Sequence, residues 1–293
     1  MEPRDVEWGI IRPNESFLSL KIRKRLPEPW KIYLIRMFNA SPFRYIAAIK
    51  PGGNMAFENT FNKDLARALA RTKNPEQFLD AELAKIKTRA LELNTARAMM
   101  AEGYEKVLQG LKLAFPNIDL EDKNLIGTPN RMARSLIEVC SGLGTDQKEI
   151  FSSTFPADNY NEVIILKDID YTSLCSHHFF PFKGKAHVGY LPDTTKGAES
   201  RVVGLSKLAH IVDCHAQRPQ LQERLCYGVM ESIKEELKPA GVMVVIEGSH
   251  GCLTCRSAKK ADASMITSAL DGKFKEDSKL RGEFLSLIGM NRK

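Results

Sequence analysis

Cys175-Ser176-His177-His178 and, far downstream, His250-Gly251-Cys252 bring thiols and imidazoles together in a 293-residue chain that has only six cysteines and six histidines. Half of the histidines lie in these two stretches, and a third cysteine, Cys255, follows closely. Thiolate with imidazole is the donor set that suits zinc, and three protein ligands leave a fourth position for water. The expected chemistry is a catalytic zinc site, Zn2+ being the implied cofactor. A single buried Cys or His is usually a satisfied core residue, but two clusters together argue for a metal. Spacing alone does not choose between His177 and His178 as the ligand.

The elements around the clusters decide what reaches the site. Gly241-Val242-Met243-Val244-Val245-Ile246-Glu247 is an apolar, β-branched run that reads as a buried strand leading into the second cluster. If the chain stays extended beyond it, His250, Cys252, Thr254 and Arg256 share one face, and Gly251, Leu253 and Cys255 the other. That alternation sets a Cys252/Cys255 pair aside. Residues 163–190 read as strands flanking the first cluster, and 197–201 as a polar hairpin loop. Two helices follow, joined by Arg218-Pro219. The first, over 205–214, opens with Ser206 and Lys207, so free backbone N–H groups, a hydroxyl and an ammonium meet at a helix N-terminus, an anion site by construction. The second, over 220–237, carries an apolar stripe at Leu221, Leu225, Val229, Ile233 and Leu237, with Gln222 and Glu223 in its first turn and off that stripe. An acidic residue there suits the helix dipole whether or not it meets a ligand.

Upstream, Thr128 can cap and Pro129 can open a helix that passes through Met132, Leu136 and Ile137 to Cys140 and ends at Gly142. A longer helix is expected over 91–115, with Met99, Met100, Val107, Leu108 and Leu111 at helical spacing. Residues 1–62 alternate apolar runs (30–38, 43–49, 55–61) with Asn39-Ala40-Ser41-Pro42 and Pro51-Gly52-Gly53-Asn54, a β-meander pattern. From residue 62 the pattern turns helical, interrupted near Asn74-Pro75.

The formal net charge of +7 belongs to residues 1–90, which hold 17 Lys and Arg against 10 Asp and Glu, while the rest balances at 26 against 26. The densest run, Lys21-Ile22-Arg23-Lys24-Arg25, suits nucleic acid, a polyanionic ligand or an acidic partner, with a solvated basic face as the plain alternative. No apolar run reaches the roughly 20 residues of a membrane span, and the acidic N-terminus fits neither a signal nor a transit peptide. A cytoplasmic chain without a disulfide framework is expected, with Cys140, Cys214 and Cys226 as core or neutral positions.

From about residue 91 the chain resembles the GTP cyclohydrolase I family. The matching blocks, in order, are Gly127-Thr128-Pro129-Asn130-Arg131, Cys175-Ser176-His177-His178, Gly204-Leu205-Ser206-Lys207, the stretch from Gln217-Arg218-Pro219-Gln220 through Leu221-Gln222-Glu223-Arg224-Leu225, and His250-Gly251-Cys252 with Arg256. The resemblance implies an α+β tunnelling fold (T-fold), an antiparallel sheet backed by helices, with residues 1–90 as a small mixed β/α extension. Residues 91–150 would be its helical part and 151–293 its catalytic part. It implies a homo-oligomeric ring such as a decamer, with active sites at subunit interfaces. Zinc would be held by Cys175, His178 and Cys252, and water would attack C8 of GTP, opening the imidazole ring and releasing formate to give 7,8-dihydroneopterin triphosphate for pterin and tetrahydrofolate biosynthesis. His177 and His250 match the family's proton-transfer positions. Gln222 and Glu223 match its guanine contacts, with Glu223 expected as a buried carboxylate. Ser206, Lys207, Arg131 and Arg256 match its ribose and triphosphate contacts.

Two positions depart from the family pattern. Ser176 stands where a Glu is usual, removing a carboxylate beside the metal. His210, one helical turn beyond Ser206, stands where an Arg usually meets the triphosphate, exchanging a permanent forked cation for an imidazole. Weaker binding of GTP is expected. Two other readings stay open beside an active enzyme: a T-fold cyclohydrolase homologue with altered substrate or product, and a non-catalytic binding or regulatory protein using the basic N-terminal module.

Overall fold

The computed structural model describes residues 18–21, 31–37, 45–49, 55–59, 75–158, 160–256, 260 and 262–290. It divides into two compact units, Met1–Glu138 and Val139–Lys293. In the first, β1 (Leu18–Lys21), β2 (Lys31–Met37), β3 (Tyr45–Ile49) and β4 (Met55–Asn59) form an antiparallel sheet in chain order. The meander expected from the alternating runs is therefore present. The basic run contributes Lys21 to β1, which the sequence pattern had not suggested, and 22–25 lie outside the described residues.

Helix α1 (Pro75–Ala114) runs unbroken for 40 residues, starting well before the expected 91. Pro75 had been read as an interruption. It is instead the first residue of the helix, where its missing N–H costs nothing and its fixed φ fits. The helical pattern expected over 62–74 lies outside the described residues. Helix α2 (Thr128–Val139) follows a turn at Gly127, which has a φ of +76°, and buries Pro129 and Ala133.

The second unit is built around one five-stranded sheet. Short helix α3 (Gln147–Ile150) and strand β5 (Thr154–Pro156) lead into the long hairpin of β6 (Ile164–Cys175) and β7 (Pro181–Leu191). The polar loop expected at 197–201 is a 3-10 turn, Thr194–Glu199, followed by β8 (Arg201–Val203), which pairs with β5. Then come α4 (Leu205–Ala216), β9 (Pro219–Gln220), α5 (Gln222–Leu237), β10 (Gly241–His250), a helical turn α6 (Gly251–Thr254), β11 (Met265–Gly272), α7 (Lys273–Glu276) and α8 (Ser278–Leu287). The main sheet has the order β11-β10-β7-β6-β9. All pairs are antiparallel except β6 with β9.

Both faces of this sheet are covered, which explains why β10 is apolar without alternation. Val242, Val244 and Ile246 join the cluster of Leu208, Ile211, Leu225, Val229 and Ile233 beneath α4 and α5. Met243 and Val245 join Phe274 and Phe284 from α7 and α8 on the other face. Phe274 and Phe284 meet edge to face at 5.9 Å, and truncating a buried aromatic of this kind costs about 3–5 kcal/mol. An antiparallel sheet backed by helices is the α+β tunnelling fold the resemblance implied. Among the described residues, no helix is long and apolar enough to cross a membrane.

Candidate metal centre and active site

The β6–β7 hairpin and the end of β10 meet at a thiol and imidazole cluster. Cys175 closes β6, and its N–H donates to the Phe180 carbonyl while the Phe179 N–H donates to the Cys175 carbonyl, at 2.8 Å each. This tight turn holds Phe179 at a φ of +56°, a conformation that costs an ordinary residue about 1–2 kcal/mol. His177 and His178 lie within this turn, and both are exposed. The β7–β10 register sets His250 opposite Phe182, so the second cluster arrives beside the first.

The strand does not continue past His250, as the alternation argument had assumed. Gly251 lies so close to Pro181 that an added Cβ would stand 2.6 Å from its carbonyl oxygen. The chain turns there, and the Cys255 N–H donates to the Gly251 carbonyl at 2.8 Å. Cys252 and Cys255 are therefore not on opposite faces of a strand. Cys255 is nonetheless exposed and outside the cluster.

Donor atoms of Cys175, His178 and Cys252 all lie within 4.8 Å of one another. Burial, and then Cys175 beside it, hold the Cys252 thiol above its usual range, while Arg256 acts in the opposite direction. Two crowded thiols and an imidazole form a site that a borderline-soft divalent cation would satisfy. The residues present thus fit a metal. His177 borders them, its Nδ1 4.0 Å from the Cys175 Sγ.

His250 is held on two sides. Its ring stacks on buried Phe182 with centroids 4.6 Å apart and planes 3° from parallel. Its Nε2 lies 2.9 Å from the Gln222 Oε1. Burial lowers its pKa, and Glu223 opposes that. Gln222 itself is 1% exposed, and its Nε2 donates to the carbonyls of Ile246 and Met265 at 3.0 and 2.8 Å. Glu223, expected to be buried, is exposed at the start of α5, because the helix turns that position away from the sheet.

Ser206, Lys207 and His210 fall on the first turns of α4, where Gly204 is the N-cap and no side chain caps the turn. Ser206 and His210 are exposed. Ser176 donates its N–H to the Gln220 carbonyl at 3.0 Å, while its buried hydroxyl has no hydrogen-bond partner. Arg131 lies in the first unit, its guanidinium donating to the carbonyls of Asn124 and Ile126 and to the Thr128 hydroxyl. Sequence reasoning missed Phe182, Tyr171 and Gly248. Tyr171 meets Phe182 edge-on at 6.0 Å, and a Cβ on Gly248 would stand 2.7 Å from the Gln222 Oε1. A glycine inside an otherwise apolar strand was the one available signal of such a close approach.

Comparison with known proteins fits this geometry. The GTP cyclohydrolase I family model matches residues 100–289. GTP cyclohydrolase 1 of Listeria welshimeri is 48% identical over 189 residues, covering 64% of this chain and 97% of that protein. The Clostridium perfringens (strain 13) protein of the same name is 43% identical over 188 residues, covering 64% and 98%. That of Thermoanaerobacter pseudethanolicus is 47% identical over 174 residues, covering 59% and 89%. With Cys175, His178 and Cys252 grouped beside His250 and Gln222, these matches make the chain a member of the GTP cyclohydrolase I family.

Proposed function

We propose that this chain is a zinc-dependent GTP cyclohydrolase I, opening the imidazole ring of GTP with release of formate and rearrangement to 7,8-dihydroneopterin triphosphate. The observation that carries the reading is the convergence of Cys175, His178 and Cys252 donor atoms within 4.8 Å, beside His177 and His250. Cys175, His178 and Cys252 hold the metal. Bound zinc would supply a Lewis acid that lowers the pKa of water to about 7.

The chain's own groups do the rest. His177 and His250 move protons on and off the purine and the sugar, as imidazoles held against a substrate can. Glu223 accepts from guanine N–H groups, with Gln222 beside it, and adenine would leave that carboxylate unpaired. The uncapped turn of α4, with Ser206, Lys207 and His210, takes up anionic charge. Arg256 and Arg131 add cations for the ribose and triphosphate.

The exposure of Glu223, His177 and His178 in a single subunit suits a site completed by a second subunit. Exposed apolar residues such as Leu113 at 86% and Phe115 at 65% suit a homo-oligomeric ring. A ligand set that needs reduced thiols suits the cytoplasm. His210 in place of a fixed cation favours, as a second reading, a homologue with altered preference for the phosphorylation state of its substrate.

Purified protein given GTP should yield formate and the pterin chromophore, and Cys252→Ala should abolish both. Turnover surviving in Cys252→Ala refutes the metal assignment.

A further inference from the structure

We propose that Gln222 is a positioning residue for His250, fixing which nitrogen of its neutral ring carries the proton. This rests on the reading of His250 as a proton-transfer group. Gln222 is buried beneath the end of β10, and its amide orientation is settled by its neighbours. The Nε2 end lies 3.0 Å from the Ile246 carbonyl, 2.8 Å from the Met265 carbonyl and 3.3 Å from the Thr267 hydroxyl. Only an NH2 group satisfies two facing carbonyls, because an oxygen there would oppose both. The other end, Oε1, then faces the His250 Nε2 at 2.9 Å and can only accept. The Nε2 of His250 must therefore carry a hydrogen, and in the neutral ring Nδ1 is the unprotonated nitrogen.

Three further contacts fix the pose. Phe182 covers one face of the ring in a parallel stack. Gly248 leaves the space through which the Gln222 Oε1 approaches, since a Cβ there would stand 2.7 Å from that oxygen. The Tyr171 hydroxyl donates to the Glu247 carbonyl at 3.3 Å and holds the strand next to that gap. Both hydrogens of the Gln222 amide are committed to β10 and β11, so its side chain has no donor left for a purine. Recognition of the guanine edge then falls to Glu223, which is exposed one residue further on.

The test uses the metal-loaded full chain carrying 15N-labelled histidine. His250 signals are assigned by their loss in His250→Asn. The wild type should show a protonated, pyrrole-type Nε2 and a pyridine-type Nδ1 for His250. In Gln222→Met, which keeps side-chain length but removes both donors and the acceptor, the two tautomers should mix. Its kcat should fall about 10- to 100-fold with KM for GTP nearly unchanged. Cys226→Ala, which empties a buried position in the same interface between α5 and β10, should lose stability and keep its kcat.

A wild-type His250 protonated on Nδ1 overturns the proposal without any variant. So does a Gln222→Met enzyme whose KM rises while kcat holds, because Gln222 would then be a purine contact. The spectrum is read without turnover, so a wild type inert toward GTP strikes at the functional reading alone.

Discussion

Acid should weaken this fold through His215, by an amount that can be worked from its surroundings. The ring is 7% exposed at the junction of α3, α4 and α5. Its Nε2 lies 2.8 Å from the Ser232 hydroxyl, which itself donates to the Gln147 Oε1 at 2.7 Å. With that hydroxyl proton spent on Gln147, the Nε2 of His215 must be the donor. A second proton would have to sit on Nδ1, which packs so closely on Gly228 that a Cβ there would stand 2.6 Å away. Burial first, and the Arg218 guanidinium second, push the His215 pKa down to about 4. In an unfolded chain it titrates near 6.5, so between about 6.5 and 4 the unfolded state binds more protons. The contribution is fully present above about 6.5 and is lost as pH falls toward about 4. Between pH 7 and pH 4.5 that loss amounts to roughly 2 kcal/mol.

Other groups titrate in the same window, so the measurement is a difference. His215→Gln keeps a donor for Ser232 and removes the titration. Denaturant midpoints followed by circular dichroism, at fixed subunit concentration, should show wild-type stability falling by roughly 2 kcal/mol more than that of His215→Gln between these pH values. Parallel profiles would mean that His215 is not held neutral by its surroundings.

Cys255→Ser should retain metal stoichiometry, measured by elemental analysis, and activity within about twofold, because that thiol is exposed and outside the donor cluster. A loss of metal there would reinstate a Cys252/Cys255 pair. His210→Arg should lower KM for GTP by about 10- to 100-fold, because a forked cation on the open turn of α4 adds a charge-assisted hydrogen bond of about 1.5–3 kcal/mol. An unchanged KM in steady-state kinetics would place the phosphates away from that turn.

What could be read without coordinates divides along a physical line. The donor types were legible because Cys175, His177, His178, His250 and Cys252 are of rare types concentrated in two short stretches, although spacing left the choice between His177 and His178 open. Strand β10 was legible because its apolar run is continuous, and burial on both faces is what such a run requires. Cys255 was set aside for a reason that fails, since the extended chain ends at His250. What stops it is the approach of Gly251 to the Pro181 carbonyl, a contact between segments 70 residues apart that no local pattern carries. Pro75 was misjudged for a related reason: a proline is compatible with a helix start and with a break, and only the chain before it decides which. Gln222 marks the deeper limit. Its place in the first turn of a helix was evident, yet its role depends on the pairing of Gly248 with Met265, which sets the Ile246 and Met265 carbonyls within reach of one amide. Residue type and helix position allow a guanine contact equally well. The register of β11 on β10 distinguishes the two roles, because it consumes the amide's donors and leaves only an acceptor for His250.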